Sequence, residues 1–177
     1  MRTLKMERSR LEDSSHYRGP VMAPIVLVGF VDFDCVWCNN AHYMVTRLME
    51  RFKNQMKYVF KHFPNTELHK NALTCAMAAE AAYAQGKFWE MHDALFKQQP
   101  TLDLKKIKDI AYGLKLDIKQ FNKEMENPDK RQAILQDFEL GRNFGVTGTP
   151  YFFVNGQRHL GDWTYKSLSH RILETAI

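Results

Sequence analysis

Cysteine is scarce in this chain, with three among 177 residues. So few exclude the disulfide framework that staples small secreted domains. One close pair, Cys35 and Cys38, and a distant single, Cys75, instead point to chemistry at the pair. Long hydrophobic runs are missing: no stretch reaches about 18 apolar residues, so no stable membrane insertion is expected. The opening MRTLKMERSRLEDSSHYRGP lacks the apolar core of a secretory leader. That leaves a cytoplasmic protein or one whose leader has been removed. Charge of one sign is also sparse. The net charge is +5; Arg2, Lys5, Arg8, Arg10 and Arg18 against Glu7, Glu12 and Asp13 put +2 in the first twenty residues and leave +3 for the rest. No basic stripe is interleaved with aromatics, so no nucleic-acid partner is expected. Internal repeats and low-complexity segments are absent.

What is present suffices for a full core: 45% hydrophobic residues and twelve phenylalanines. The length fits one domain, or one domain with a sizeable insertion. Residues 1–20 are polar, lack a periodic face and are expected to form a mobile lead-in. IVLVGFV, Ile25–Val31, is a continuous apolar run that suits a strand buried on both faces. From Ala41 the apolar residues fall at Ala41, Met44, Val45, Leu48, Met49 and Phe52, one face of a helix. Carried back through Trp37 and Cys38, the pattern predicts a helix over about 36–52, with Cys35 at its first-turn boundary and Cys38 leaning to the buried side. KYVFKHF, Lys57–Phe63, alternates like a strand and is stopped by Pro64. Strand, helix and strand make a parallel, right-handed unit.

Residues 64–148 then read as helix throughout. KNALTCAMAAEAAYAQG is apolar nearly all round and closes on Gly86. KFWEMHDALFKQ, LKKIKDIAYGLKL, IKQFNKEME and DKRQAILQDFELGRNFG follow. A crossover needs only about a dozen residues, so this length predicts an inserted helical subdomain. Pro150–Val154 returns as a strand, Asn155–Gly156 signals a type I′ hairpin, Gln157–Leu160 pairs back, and TYKSLSHRILETA closes the chain as a helix.

A thiol reacts as its thiolate. The first turn of a helix offers unpaired N–H groups and a partial positive charge, which favour a thiolate on Cys35. Three-residue spacing brings Cys38 within one turn, in reach of a disulfide. The arrangement predicts an exposed nucleophile, Cys35, and a sheltered resolving thiol, Cys38. Locally, three readings stay open: a redox pair, half a metal site, or two cysteines close by accident. Four-ligand zinc sites usually show a second pair. None is present, although His42, four residues after Cys38, is a candidate third ligand on the same helix flank. A strand running into C-x-x-C at a helix start favours redox chemistry.

VGFVDFDCVWCNNAH, KHFP, AAEAAYAQGKFWEMHDALF and GVTGTPYFFVNGQ, in this order, together resemble the DsbA-like thiol–disulfide oxidoreductases, from about Gly19 to the C-terminus. The resemblance implies an α/β, thioredoxin-like fold with an inserted all-helical subdomain. Residues 21–63 and 146–177 would form the thioredoxin-like domain, and 64–145 the insertion. It implies that Cys35 attacks, that Cys38 resolves, and that Thr149–Pro150 is a cis-proline element facing them. Thr149, Pro150, Val36 and Trp37 are then expected to meet the substrate. The expected partners are cysteine-containing proteins and a further redox protein that resets the pair, with no cofactor. The bacterial periplasm or cell envelope is the expected location, with the cytoplasm as alternative. Only about twenty residues precede the fold, too few for the added dimerisation domain of related isomerases, so a monomer acting as oxidase or reductase is expected. The chain also departs from the family. Val36 and Trp37 stand where many relatives carry proline or histidine, Gly29 where an acidic residue is frequent, and Tyr43 where a proline is frequent. Asp32 matches a frequent aspartate, although the residues alone read it as a helix-start or loop carboxylate. These changes bear on redox potential and predict a weaker oxidant than histidine-containing members.

The second function read from the residues is a copper or zinc carrier using Cys35, Cys38 and His42. Other side chains read as structure. Cys75 is expected in the core, Trp89 and Trp163 as packing residues, and Met44, Met49, Met77 and Met91 as helix core. Lys61 and His62 are read as a strand end.

Overall fold

β2 (Ile25–Val31) is buried at every position, as a central strand must be. β3 (Met56–His62) runs parallel along one side of it, and β4 (Tyr151–Val154) antiparallel along the other. β1 (Tyr17–Arg18) flanks β3 and β5 (Gln157–Arg158) flanks β4, giving the sheet order β1-β3-β2-β4-β5. This is a computed structural model, and it describes residues 8–175. The thioredoxin-like sheet expected from the sequence is present. The strands expected at Lys57–Phe63 and Pro150–Val154 are each shifted or trimmed by one residue, and Gln157–Leu160 shortens to Gln157–Arg158. Asn155 and Gly156 both have positive φ, 48° and 75°, as a type I′ turn requires.

The alternation of β2 feeds two cores. Ile25, Leu27 and Val31 point into the larger one, under the helices, whereas Val26, Val28 and Phe30 enter a second one on the opposite face. The second face needs its own cover, and part of it comes from the segment expected to be a lead-in. That expectation is corrected over residues 8–20: residues 8–12 are helical, Leu11 is fully buried against Val26, Val28 and Val59, and β1 pairs with β3. Residues 1–7 of the expected lead-in lie outside the described residues.

α1 (Val36–Phe52) has the predicted bounds. Five helices lie between β3 and β4: α2 (Ala72–Tyr83), α3 (Phe88–Lys97), α4 (Leu104–Gly113), α5 (Ile118–Met125) and α6 (Pro128–Asn143). α7 (Tyr165–Thr175) follows the hairpin. Asp103, Asp117 and Asn127 cap α4, α5 and α6 by accepting backbone N–H bonds in the first turn. Gly141 lets α6 lie close on the second face; a Cβ there would meet Phe63 at 2.8 Å and Phe30 at 2.9 Å. α2 is buried nearly all round, and Cys75 in it is a core residue whose thiol burial pushes up. Met44, Met77 and Met91 are core residues as well, with Met49 packed beside them. Trp89 packs against the core and donates its indole N–H to the Tyr17 carbonyl at 3.2 Å.

Candidate active site

The chain leaves β2 at Val31 and turns through Asp32–Asp34 into α1. Asp32 is buried, with both carboxylate oxygens engaged. One carboxylate oxygen accepts the Asp34 N–H at 2.9 Å; the other accepts the Asn65 N–H at 2.9 Å and pairs with His69 Nδ1 at 2.8 Å. Asp34 in turn accepts the Asn71 N–H at 2.9 Å. Two carboxylates thus stitch the loop before the cysteines to the loop after β3. The Asp32 N–H points at the Cys38 sulfur at 3.5 Å. Gln99 adds a further tie, donating its side-chain amide to the Phe33 carbonyl.

Cys35 occupies the N-cap of α1 with an extended backbone. Its thiol is not exposed as the sequence reading expected; the residue is 3% accessible. A thiol at a helix start can still be covered from the facing loop, and here the Thr149 carbonyl accepts from Cys35 Sγ at 3.6 Å. The Cys35 pKa is lowered from 9.0 to about 6. The hydrogen bond from the Cys38 thiol is the main cause; burial opposes it, and the Cys38 and Trp37 N–H groups and the Thr149 side chain add to it. Cys38 is wholly buried, and burial followed by the neighbouring Cys35 pushes its pKa well up. Both thiols are free. The Thr149–Pro150 bond is cis, facing Cys35 across the Thr149 contact.

Val36 and Trp37 are exposed, at 61% and 59%. The Trp37 ring lies 6.1 Å from that of Trp163, which packs on the core and reaches the rim of the site. Behind Cys38 is a cavity of about 320 Å³ lined also by His42, Val45, Tyr58 and Phe152. The space over Gly29, where relatives often carry an acid, is taken by Tyr58: a Cβ there would meet its hydroxyl oxygen at 2.9 Å.

The structure does not bring His42 to the cysteines. Its ring stacks on Phe96 at 4.9 Å, and its ligand nitrogen groups with His92 and Asp93. Among the described residues, no third His, Cys, Asp or Glu donor comes within 4.8 Å of both sulfurs. The carrier reading therefore lacks its expected ligand; the helix turns that flank of α1 towards α3 instead.

Two features escaped the sequence reading. His69 lies in an unperiodic loop and carries no signal. Glu80 did carry one: it is the single charge in the apolar helix ALTCAMAAEAAY, and a buried charge needs partners. Its partners are His16 and His62, so His62 is more than a strand end.

A family model described as Thioredoxin matches residues 12–174. The chain belongs to the thioredoxin family. A thioredoxin-like oxidoreductase from Silicibacter pomeroyi superposes with a TM-score of 0.85 and 26% identity, covering 94% of this chain and 96% of that one. The thiol–disulfide exchange protein α-DsbA2 of Wolbachia pipientis gives a TM-score of 0.80 at 23% identity, over 98% of each chain. Within the thioredoxin family, the chain has the DsbA-like build that the four motifs implied. A curated relative, the Na(+)/H(+) antiporter NhaA 1 of Salinispora arenicola, is 40% identical over 157 residues, which is 89% of this chain and 24% of that protein. The chain thus spans about a quarter of the length of such relatives. Among the described residues, no helix is long and apolar enough to cross a membrane.

Proposed function

We propose that this DsbA-like protein is a protein-disulfide oxidoreductase that works through a mixed disulfide on Cys35. The observation that carries the reading is the asymmetry of the pair: Cys35 ionises at about 6 while its neighbour Cys38 is held protonated by burial. Near neutral pH the Cys35 thiolate attacks one sulfur of a substrate disulfide and expels the other as a thiolate. Cys38 then loses its proton and attacks the Cys35 sulfur, releasing the second substrate thiolate. The substrate gains two electrons and the protein keeps the Cys35–Cys38 disulfide; run backwards, the same steps oxidise a substrate dithiol. Val36, Trp37, Thr149 and Pro150 are assigned to substrate contact. The exposed pair offers apolar surface, and the backbone around Thr149 offers an extended segment a place to pair.

The same reading takes cysteine-containing proteins as substrates, a second redox protein as the resetting partner, and a monomeric enzyme. Disulfides persist in oxidising compartments, which supports the bacterial periplasm or cell envelope over the cytoplasm. Residues 21–63 with 146–177 are taken as the thioredoxin-like unit and 64–145 as its insertion. Equilibration in mixtures of oxidised and reduced glutathione, followed by thiol titration, tests the reading. A reversible couple of two thiols is expected; thiols that stay reduced across the range overturn it. Iodoacetamide at neutral pH should label Cys35 before Cys38 and Cys75, with a rate that rises through about pH 6 and then levels; first labelling at Cys38 would overturn the assignment of roles.

A further inference from the structure

A second convergence of chemistry lies away from the thiol pair. His16 precedes β1, His62 ends β3, and Glu80 sits towards the C-terminal end of α2. All three are buried, at 6%, 2% and 6% accessibility. Three elements remote in sequence thus bring two imidazoles and a carboxylate to one point. Glu80 Oε1 lies 2.5 Å from His16 Nε2 and 3.0 Å from His62 Nε2, and the donor atoms of the trio are all within 4.8 Å of one another. Packing fixes both rings. His16 stacks on Phe88 at 3.8 Å, and His62 stands edge-on to Phe60 at 5.0 Å.

The trio opens to a polar cavity of about 440 Å³ that is lined also by Ser14, Lys61, Asp129, Lys130 and Asp137. Both lysines there are held by other carboxylates: Lys61 by Asp137 at 3.0 Å and Lys130 by Glu124 at 3.7 Å. Neither neutralises Glu80. Burial alone would raise the Glu80 pKa, but the bonds from His16 and His62 outweigh it and keep the carboxyl ionised.

We propose that His16, His62 and Glu80 bind a divalent cation of the zinc type, with the fourth coordination position open to the cavity. Zinc takes imidazole nitrogen and carboxylate oxygen at about 2.0–2.2 Å, and three protein ligands plus one open position is a set it uses. Tetrahedral bonds of that length separate neighbouring donors by about 3.3 Å. The His–Glu separations must therefore open by less than about 1 Å, replacing two hydrogen bonds with metal bonds. Magnesium and calcium prefer six or more oxygens, which two imidazoles do not supply. The other trio of potential ligands, His42, His92 and Asp93, is different: Arg18 already holds Asp93 at 2.6 Å, so a cation is in place there. The proposed site joins the N-terminal segment, the sheet and the insertion, and it does not depend on the thiol pair.

The test uses the full chain with Cys35→Ser and Cys38→Ser, which removes the competing thiols. After treatment with EDTA and desalting, it is titrated with Co²⁺ and then Zn²⁺. One equivalent of Co²⁺ is expected, with visible d–d bands and no thiolate-to-cobalt charge transfer. Glu80→Gln and His62→Gln should each weaken binding at least about tenfold, as ligand loss does, while His42→Gln leaves it unchanged. A folded double variant that takes up no stoichiometric metal overturns the proposal, as does affinity in Glu80→Gln and His62→Gln equal to that of the parent double variant. Should those variants fail to fold, long-range ¹⁵N–¹H spectra of the chain with Cys35→Ser and Cys38→Ser decide: Zn²⁺ should move the His16 and His62 imidazole signals, and movement confined to other histidines overturns the assignment.

Discussion

Asp32 and Glu80 are both buried carboxylates paired with imidazole, yet they are finished differently. Asp32 receives two backbone N–H groups and His69, with both oxygens engaged. Glu80 takes two imidazoles on one oxygen, and the described residues donate nothing to the other. With both oxygens engaged and the residue shut away from solvent, Asp32 fixes loop geometry beside the cysteines. A carboxylate with spare capacity, opening on a cavity, can do more than hold a fold together. Local sequence does not announce this difference; it depends on which donors the tertiary structure delivers.

Removing Asp32 should have the largest effect. Asp32→Ala leaves the Asp34 and Asn65 N–H groups without their acceptor and His69 without its partner. Breaking a buried pair costs about 3–5 kcal/mol, and a loss of that order is expected in urea unfolding. A loss below about 1 kcal/mol would place Asp32 with ordinary surface carboxylates.

The next effect is on the thiol that Asp32 helps to position. Cys35 has a folded pKa near 6, below its reference of 9.0. The unfolded chain therefore binds more protons between these values, and stability rises with pH across that window; the gain is lost as pH falls through about 6. The oxidised form has no such thiol. The stability of the reduced over the oxidised protein should thus grow by about 1.4 kcal/mol per pH unit between pH 6.5 and 8. A flat difference in paired denaturation curves would contradict the low pKa.

A smaller effect is expected from the residues between the cysteines. Trp37→His supplies a cationic partner for the Cys35 thiolate, stabilises the reduced form and should make the pair more oxidising by about 30 mV, the equivalent of about 1.4 kcal/mol for two electrons. Equal midpoints in glutathione-buffered titrations of the two forms would show that position 37 does not set the potential.

The smallest effect sharpens the comparison itself. Burial opposes the charged form of His69, but the hydrogen bond and charge of Asp32 outweigh it, so its pKa is raised. A raised pKa stabilises the fold below the unfolded value of about 6.5, and the gain disappears as pH rises through the folded value. His69→Asn should therefore be less stable at pH 5.5 by under about 1 kcal/mol, and the gap to the parent should shrink by pH 8.5. A gap that widens with pH would show that His69 acts by shape alone.

Periodicity made much of the fold legible. The unbroken apolar run of β2, the i, i+3, i+4 face of α1 and the Asn155–Gly156 turn each had one reading, and the structure agrees at those places. Residues 8–20 failed this approach, because a two-residue strand and a single buried leucine leave no periodic trace. At the site, Cys35 and Cys38 were legible because a covalent pair requires close spacing. The cover over Cys35, the Asp32–His69 tie and the partners of Glu80 were not, since each joins residues brought together only by tertiary packing: the Thr149 turn before β4 over Cys35, loop 64–71 against Asp32, and α2 against His16 and His62.

The two margins of the sheet have a further consequence. β1 and β5 are two residues long, and each ends on an arginine whose guanidinium covers an aromatic ring: Arg18 over Trp89 at 4.4 Å and Arg158 over Tyr151 at 4.9 Å. Long bare strand edges are templates on which foreign strands polymerise, and short charged ones frustrate this. A protein whose proposed substrates pair with it through an extended segment meets that hazard at every encounter. Under the proposed function, clipped margins would leave the Thr149 backbone as the place where such a segment pairs, one at a time, without seeding an aggregate along the flanks.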